Sequence, residues 1–248
     1  MTAFYGKLPA KGDFLSRNLP REFVDTWDNW LQTGMHESRE ALGEQWLESY
    51  LTSPLWRFVL PPGSCGQSAY AGVLMPSMDK VGRYFPMAVL RPLEEQGAPI
   101  LTALRNAAWF ENVEARLLAA LDEETLDIDA FDQSIQAFGF IDVVPTTQLD
   151  GSAATRTQGG AELDLALCLL EVNGMAVREA SAGLSFWWGS GSDMVEPSLL
   201  YSSGLPAPRC YTAMLCGSWN NYGWSDGGAV ATPVAADPLA QILDDLVD

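Results

Sequence analysis

Two short stretches of the chain place charged side chains among glycine, proline and aromatic residues. The stretches are residues 6–17 and 76–86, and five of their charges are candidate site residues: Lys7, Asp13, Arg17, Asp79 and Arg83. A charge among large apolar side chains must be paired or used, because burying it alone is costly. Asp13 and Asp79 could perform glycosidase-like chemistry, which requires two correctly spaced carboxyl groups. Alternatively, the charges form salt bridges that lock the first strand to the loop 77–86.

Other catalytic sites lack the residues that they would need. His36 is the single histidine, so any Ser-His-Asp or Cys-His site would depend on it. The four cysteines contain no Cys-x-x-Cys pair, and one histidine does not complete a mixed zinc site. The sequence has neither a Gly-x-Ser-x-Gly elbow nor a glycine-rich phosphate loop. We therefore expect no enzymatic activity, no cofactor and no metal.

A tryptophan pair, Trp187-Trp188, is the second candidate for a binding surface. Neighbouring residues of a strand point to opposite faces of its sheet, so one indole should enter the core. The other indole then faces outward or lies under a covering helix. An exposed tryptophan would be a good anchor for a protein partner.

The elements that position these residues follow from hydrophobic periodicity. Strands are predicted at residues 3–8, 56–60, 69–75, 87–91, 163–171, 184–189 and 198–202. Helices are predicted from residue 20 or 21 to Gly34, from about residue 38 to 51, and over 99–121, 128–138 and 237–248. This order predicts an α/β fold with a mixed, largely antiparallel sheet covered by helices on both faces. We expect one domain over residues 1–248, and the alternative is two packed halves with a connection near 145–161.

Composition and charge narrow the class of partner. The chain has 248 residues, 48% of them hydrophobic, which is enough for a substantial core. It begins without the pattern of a signal peptide and contains no run long enough for a membrane span, so we expect a cytoplasmic protein. The net charge of −18 falls entirely within residues 92–248. Such a surface repels nucleic acid and anionic lipid, whereas it suits a basic protein partner or solubility alone.

The two charged stretches, together with several tryptophan motifs, resemble the TagF family of bacterial type VI secretion. The supporting motifs are Trp27-x-x-Trp30-Leu31, Trp56-x-Phe58-Val59-Leu60 and Ser185-x-Trp187-Trp188. The resemblance is specific over residues 4–91 and weaker near 184–189. The motif residues are Gly6, Lys7, Pro9, Gly12, Asp13, Phe14, Arg17, Ser77, Asp79, Gly82, Arg83, Phe85, Pro86 and Trp188. The resemblance implies no catalytic role for any of them.

The resemblance to the TagF family implies a cytoplasmic, non-enzymatic repressor of type VI secretion that acts after translation. Its implied partner is the forkhead-associated scaffold protein of the secretion system. We accordingly expect the motif residues to form either a partner-binding surface or a structural network. The alternative is a small-molecule or carbohydrate-active domain that uses the Asp13/Asp79 carboxylate pair.

Overall fold

The computed structural model describes residues 1–93, 99–140 and 183–225, and seven strands of these residues form one sheet. The strands are β1 (Ala3–Gly6), β2 (Leu15–Arg17), β3 (Trp56–Leu60), β4 (Ala69–Met75), β5 (Met87–Leu93), β6 (Leu184–Gly189) and β7 (Ser198–Ser203). Their order across the sheet is β2-β1-β5-β4-β3-β6-β7. Each pairing of these strands is antiparallel. The predicted α/β class is confirmed, although the described strands include none of the parallel pairs that a mixed sheet would have.

Six α-helices accompany the sheet in the described residues. They are α1 (Arg21–Leu42), α2 (Trp46–Leu51), α3 (Pro99–Leu104), α4 (Ala107–Leu121), α5 (Ile128–Gln136) and α6 (Cys210–Cys216). The predicted break at Gly34 is wrong, because α1 continues through it to Leu42. A Cβ atom at Gly34 would lie 2.9 Å from the Cβ of Tyr211, so this glycine allows α1 and α6 to pack closely.

The predicted helix over residues 99–121 is divided into α3 and α4. The division falls at Asn106, whose carbonyl oxygen accepts hydrogen bonds from the backbone N–H groups of Trp109 and Phe110. The Asn106 side chain donates a hydrogen bond to the Thr102 carbonyl oxygen. Asn106 thus ends one helix and begins the next, which hydrophobic periodicity alone does not indicate.

The two faces of the sheet belong to separate hydrophobic clusters. Along β4, residues alternate between them: Tyr70 and Leu74 lie in one, and Ala71 and Val73 in the other. The first cluster contains one apolar stripe of α1, namely Phe23, Trp27, Trp30 and Leu31. The second contains residues of α4 and α5, among them Phe110, Val113, Leu117, Phe131 and Ile135. Helical side chains therefore contribute to the clusters on both faces.

Several predicted segments lie outside the described residues. They are the connection at 145–161, the strand at 163–171 and the terminal helix at 237–248. Among the described residues, no helix combines the length and the apolar character that crossing a bilayer requires.

Candidate functional site

The carboxylate of Asp79 is the centre of a buried network formed with Lys7 and Arg83. Asp79 lies in the loop between β4 and β5 and is only 2% exposed. Its Oδ2 accepts hydrogen bonds from Lys7 Nζ at 3.0 Å and from Arg83 Nε at 2.6 Å. Its Oδ1 accepts from the backbone N–H groups of Val81, at 3.1 Å, and Arg83, at 2.9 Å. Both carboxylate oxygens are therefore fully engaged.

The loop that carries Asp79 is closed by its own backbone. The Asp79 N–H donates to the Arg83 carbonyl at 3.0 Å, and the Gly82 N–H donates to the Asp79 carbonyl at 2.9 Å. Gly82 has a φ of +80°, a conformation that glycine adopts at little cost. The Phe85 N–H donates to the Ser77 carbonyl at 3.0 Å, which closes the base of the loop. Gly82 and Asp79 therefore both stabilise this turn.

The network joins this loop to the loop that follows β1. Lys7 comes directly after β1, and Arg83 Nη2 donates to the carbonyl of Gly12 at 2.7 Å. A backbone hydrogen bond of 2.9 Å runs from Lys80 N to the carbonyl of Lys11. Side chains and backbone together thus hold the two charged stretches of the sequence against each other.

Phe14 packs beside the Lys7 ammonium and belongs to a group of three aromatic rings. Lys7 Nζ lies 4.8 Å from the centroid of the Phe14 ring, which is a cation–π distance. Phe14 meets Phe85 edge-on at 4.8 Å and stacks on Tyr5 at 5.7 Å. Phe14 remains 45% exposed, so one face of this aromatic group is open to solvent.

Hydrogen bonding controls the ionisation of Asp79. Burial on its own would raise the pKa of this carboxyl group. Donors from the backbone of Arg83, the Lys7 ammonium, the Arg83 guanidinium and the backbone of Val81 instead hold its pKa well below the usual range. Asp79 is therefore an ionised structural acceptor at neutral pH, which does not favour a role as proton donor.

Asp13 and Arg17 do not join the network. Asp13 is exposed and makes no hydrogen bond or ion pair with any described residue. Arg17 Nη1 instead binds two carboxylates of α5, those of Asp129 at 2.8 Å and Asp132 at 3.2 Å. The geometry therefore gives no support to an Asp13/Asp79 catalytic pair, since Asp79 is saturated with donors and Asp13 is in solvent.

Trp187 and Trp188 point to opposite faces of β6, as predicted. Trp187 is fully buried and stacks parallel to Trp27 at 6.1 Å, on the face covered by α1. Trp188 is partly buried and meets Phe110 of α4 at 5.3 Å. Trp187 is therefore a core residue, and only Trp188 retains exposed surface.

Ser77 is one of the site residues predicted from the sequence, whereas its hydrogen-bond partner Tyr50 was not predicted. The Tyr50 hydroxyl donates to the Ser77 carbonyl at 2.8 Å and accepts from the Ser77 N–H at 2.9 Å. Burial raises the pKa of Tyr50 well above its ordinary value, so it stays a neutral donor. The spacing of Trp46 and Tyr50 predicts a buried helix face but does not indicate which loop that face contacts.

Comparison with known proteins decides the family. The model of the TagF N-terminal domain, type VI secretion system-associated, matches residues 3–138, which is more than half of the chain. The chain belongs to the TagF family. The crystal structure of PA0076 from Pseudomonas aeruginosa PAO1, at 2.05 Å resolution, is 36% identical to it with a TM-score of 0.69. That match covers 88% of this chain and 94% of PA0076. A comparison with curated proteins found no match.

The TagF match places the Asp79 network within the family domain, because Lys7, Asp79 and Arg83 all fall between residues 3 and 138. Trp187 and Trp188 lie beyond the matched range. Within residues 1–93, 99–140 and 183–225, no three His, Cys, Asp or Glu side chains come together as metal ligands would.

Acid should remove the stabilisation that the Asp79 carboxylate provides. The folded-state pKa lies below the ordinary value of 3.8, so this stabilisation is complete above the unfolded-state pKa and is lost as pH falls below it. The stability difference between the wild-type chain and Asp79→Asn should be constant above about pH 5. From about pH 4 downward it should shrink by up to about 1.4 kcal/mol per pH unit. Urea unfolding of both proteins between about pH 7 and about pH 3.5 measures this, and a constant difference throughout would contradict it.

Proposed function

We propose that this TagF-family protein is a cytoplasmic, non-enzymatic regulator that represses type VI secretion after translation. It acts by binding another protein, the forkhead-associated scaffold of the secretion system. The observation that carries this proposal is the family match over residues 3–138. The same proposal treats residues 1–248 as one domain, since β6 joins β3 in the single described sheet.

The chemistry of the described side chains supports a non-enzymatic role. Asp79 uses both carboxylate oxygens to hold the fold together. The single histidine, His36, lies exposed on α1, away from the Asp79 loop in sequence and without a described partner. Burial raises the pKa of the Cys65 thiol to about 12, so this cysteine is a poor nucleophile at neutral pH.

Charge supports a protein partner over nucleic acid or membrane. The net charge of −18 would repel phosphate backbones and anionic lipid surfaces. A basic protein surface would instead be attracted, and its encounter would be accelerated at low salt. We therefore propose a basic contact surface on the partner.

Deletion of the gene should increase the amount of type VI tube protein in the culture medium. The expected increase is several-fold in cells with a resting secretion system, and restoring the gene should reverse it. Tube-protein transcript levels should not change, because the proposed repression acts after translation. Immunoblots of medium and cell fractions measure the first result, and transcript quantification measures the second. Loss of secretion on deletion would instead identify an assembly component and contradict repression.

A further inference from the structure

An apolar cleft of about 340 Å³ opens where the C-terminal ends of α2 and α4 meet the end of β4. Eight of its eleven lining residues are apolar, including Met75 of β4 and Leu121 of α4. Ser77 also lines the cleft, whereas Asp79 and Asp13 do not. Its volume is that of a small binding pocket and would accept a large side chain.

Exposed leucines stand at the cleft. Leu51 of α2 and Leu118 of α4 line it, yet they are 48% and 49% exposed. Leu47, one helical turn before Leu51, is 41% exposed. Clustered apolar surface of this kind on a soluble protein marks an interaction site more often than isolated exposed residues do.

The Ser77 hydroxyl gives the cleft an unused polar group. Ser77 is only 3% exposed, and its Oγ has no hydrogen-bond partner among the described residues. Its backbone N–H and carbonyl are both bound by Tyr50, so the hydroxyl is the one polar group of Ser77 without a partner among the described residues. Buried hydroxyls are nearly always hydrogen-bonded, and rotation of the Ser77 side chain toward the cleft would let a polar group of a bound molecule satisfy this one.

The segments that form the helical walls are acidic. Residues 43–55 and 107–124 contain seven Asp and Glu residues and one base, Arg116. That base is itself paired with Glu123 at 2.7 Å. One of these acids, Glu114, is also paired, with Arg57 of β3 at 2.6 Å. The net negative charge that remains on the helical walls favours a ligand that combines an apolar side chain with positive charge.

We propose that this cleft receives an apolar side chain of the scaffold partner, carried on a segment that also bears Lys or Arg. A backbone polar group of that segment hydrogen-bonds Ser77 Oγ. The proposal deepens the proposed function and rests on it. The apolar side chain provides the burial, and Ser77 fixes its depth in the cleft.

The test measures binding of the purified forkhead-associated scaffold to the full chain by calorimetry. Ser77→Ala should weaken binding by about threefold to tenfold, the effect of one hydrogen bond. Leu118→Gln should weaken it by more than about tenfold, since a buried leucine is lost from the interface. Leu199→Gln is the matched control, because Leu199 is 64% exposed on β7 and does not line the cleft. Wild-type affinity should also fall as salt is raised.

Thermal unfolding of the isolated variants separates loss of a binding contact from loss of fold stability. Ser77→Ala removes an unpaired buried hydroxyl, so its Tm should equal or exceed that of the wild type while binding weakens. A marked fall in the Tm of Leu118→Gln would show that the chain itself covers the cleft and would overturn the proposal.

The binding results also separate failure of this inference from failure of the proposed function. If the wild type binds the scaffold and both cleft variants bind equally well, the cleft is not the contact and only this inference fails. If the wild type does not bind the scaffold, the proposed partner is wrong and both fail.

Discussion

Replacing Asp79 by Asn is expected to lower the free energy of unfolding by about 3–5 kcal/mol. The substitution preserves the shape of the side chain but removes the anion that neutralises Lys7. The Lys7 side chain is only 8% exposed, so its ammonium would remain buried without a counter-charge. Urea unfolding at neutral pH, followed by tryptophan fluorescence, measures the change.

Asp13→Asn is the matched control for Asp79→Asn. It makes the same chemical change in the same pair of motifs, but Asp13 is exposed and bonded to no described residue. Its stability should therefore stay within about 0.5 kcal/mol of the wild type. Arg83→Ala should give an intermediate loss of about 1 kcal/mol, because its side chain is 63% exposed and the Lys7–Asp79 pair survives.

These variants also decide between the two roles that the sequence left open for the motif residues. A structural network predicts that Asp79→Asn loses stability first and scaffold binding only as a consequence. A partner-binding surface predicts the reverse, namely a folded protein of normal stability that no longer binds. An unchanged unfolding midpoint for Asp79→Asn would therefore contradict the structural role.

The sequence grouped five charges by their neighbours, and strand geometry explains why one of them, Arg17, lies away from Asp79. Arg17 is opposite Phe4 in the β1–β2 pairing, and its guanidinium lies 6.0 Å from the Phe4 ring. Phe4 belongs to the cluster that contains α5, so Arg17 reaches the carboxylates of that helix instead of Asp79. The composition of a stretch indicates that its charges are paired, whereas register determines which partner each one meets.

Period-two alternation made the tryptophan pair predictable. It assigned Trp187 and Trp188 to opposite faces of the sheet. It did not indicate which of the two would be buried, because burial of Trp187 against Trp27 depends on where α1 packs. The cleft could not be predicted in this way. Its lining comes from the loop at Pro9, from α2, from the end of β4 and from α4, which only the tertiary fold brings together.

Gly6→Ala is expected to destabilise the chain by more than about 4 kcal/mol, or to prevent folding. Gly6 has a φ of +141°, a backbone conformation that residues with a Cβ rarely adopt. An added Cβ would also overlap the carbonyl oxygen of Pro86 and lie 2.6 Å from the Cα of Met87. Both obstacles are backbone atoms at the start of β5, so relief would require β1 and β5 to separate.

Gly12→Ala is the control that separates the steric clash at Gly6 from a general cost of replacing a motif glycine by alanine. Gly12 belongs to the same sequence motif, but an added Cβ there would meet no atom within 4 Å. Its stability should therefore change by less than about 0.5 kcal/mol. Soluble yield and urea unfolding of the two variants provide the comparison. The residue after Gly6 is Lys7, so separation of β1 from β5 should also disturb the Asp79 network. A Gly6→Ala variant of unchanged stability would therefore contradict the tight packing of β1 against β5.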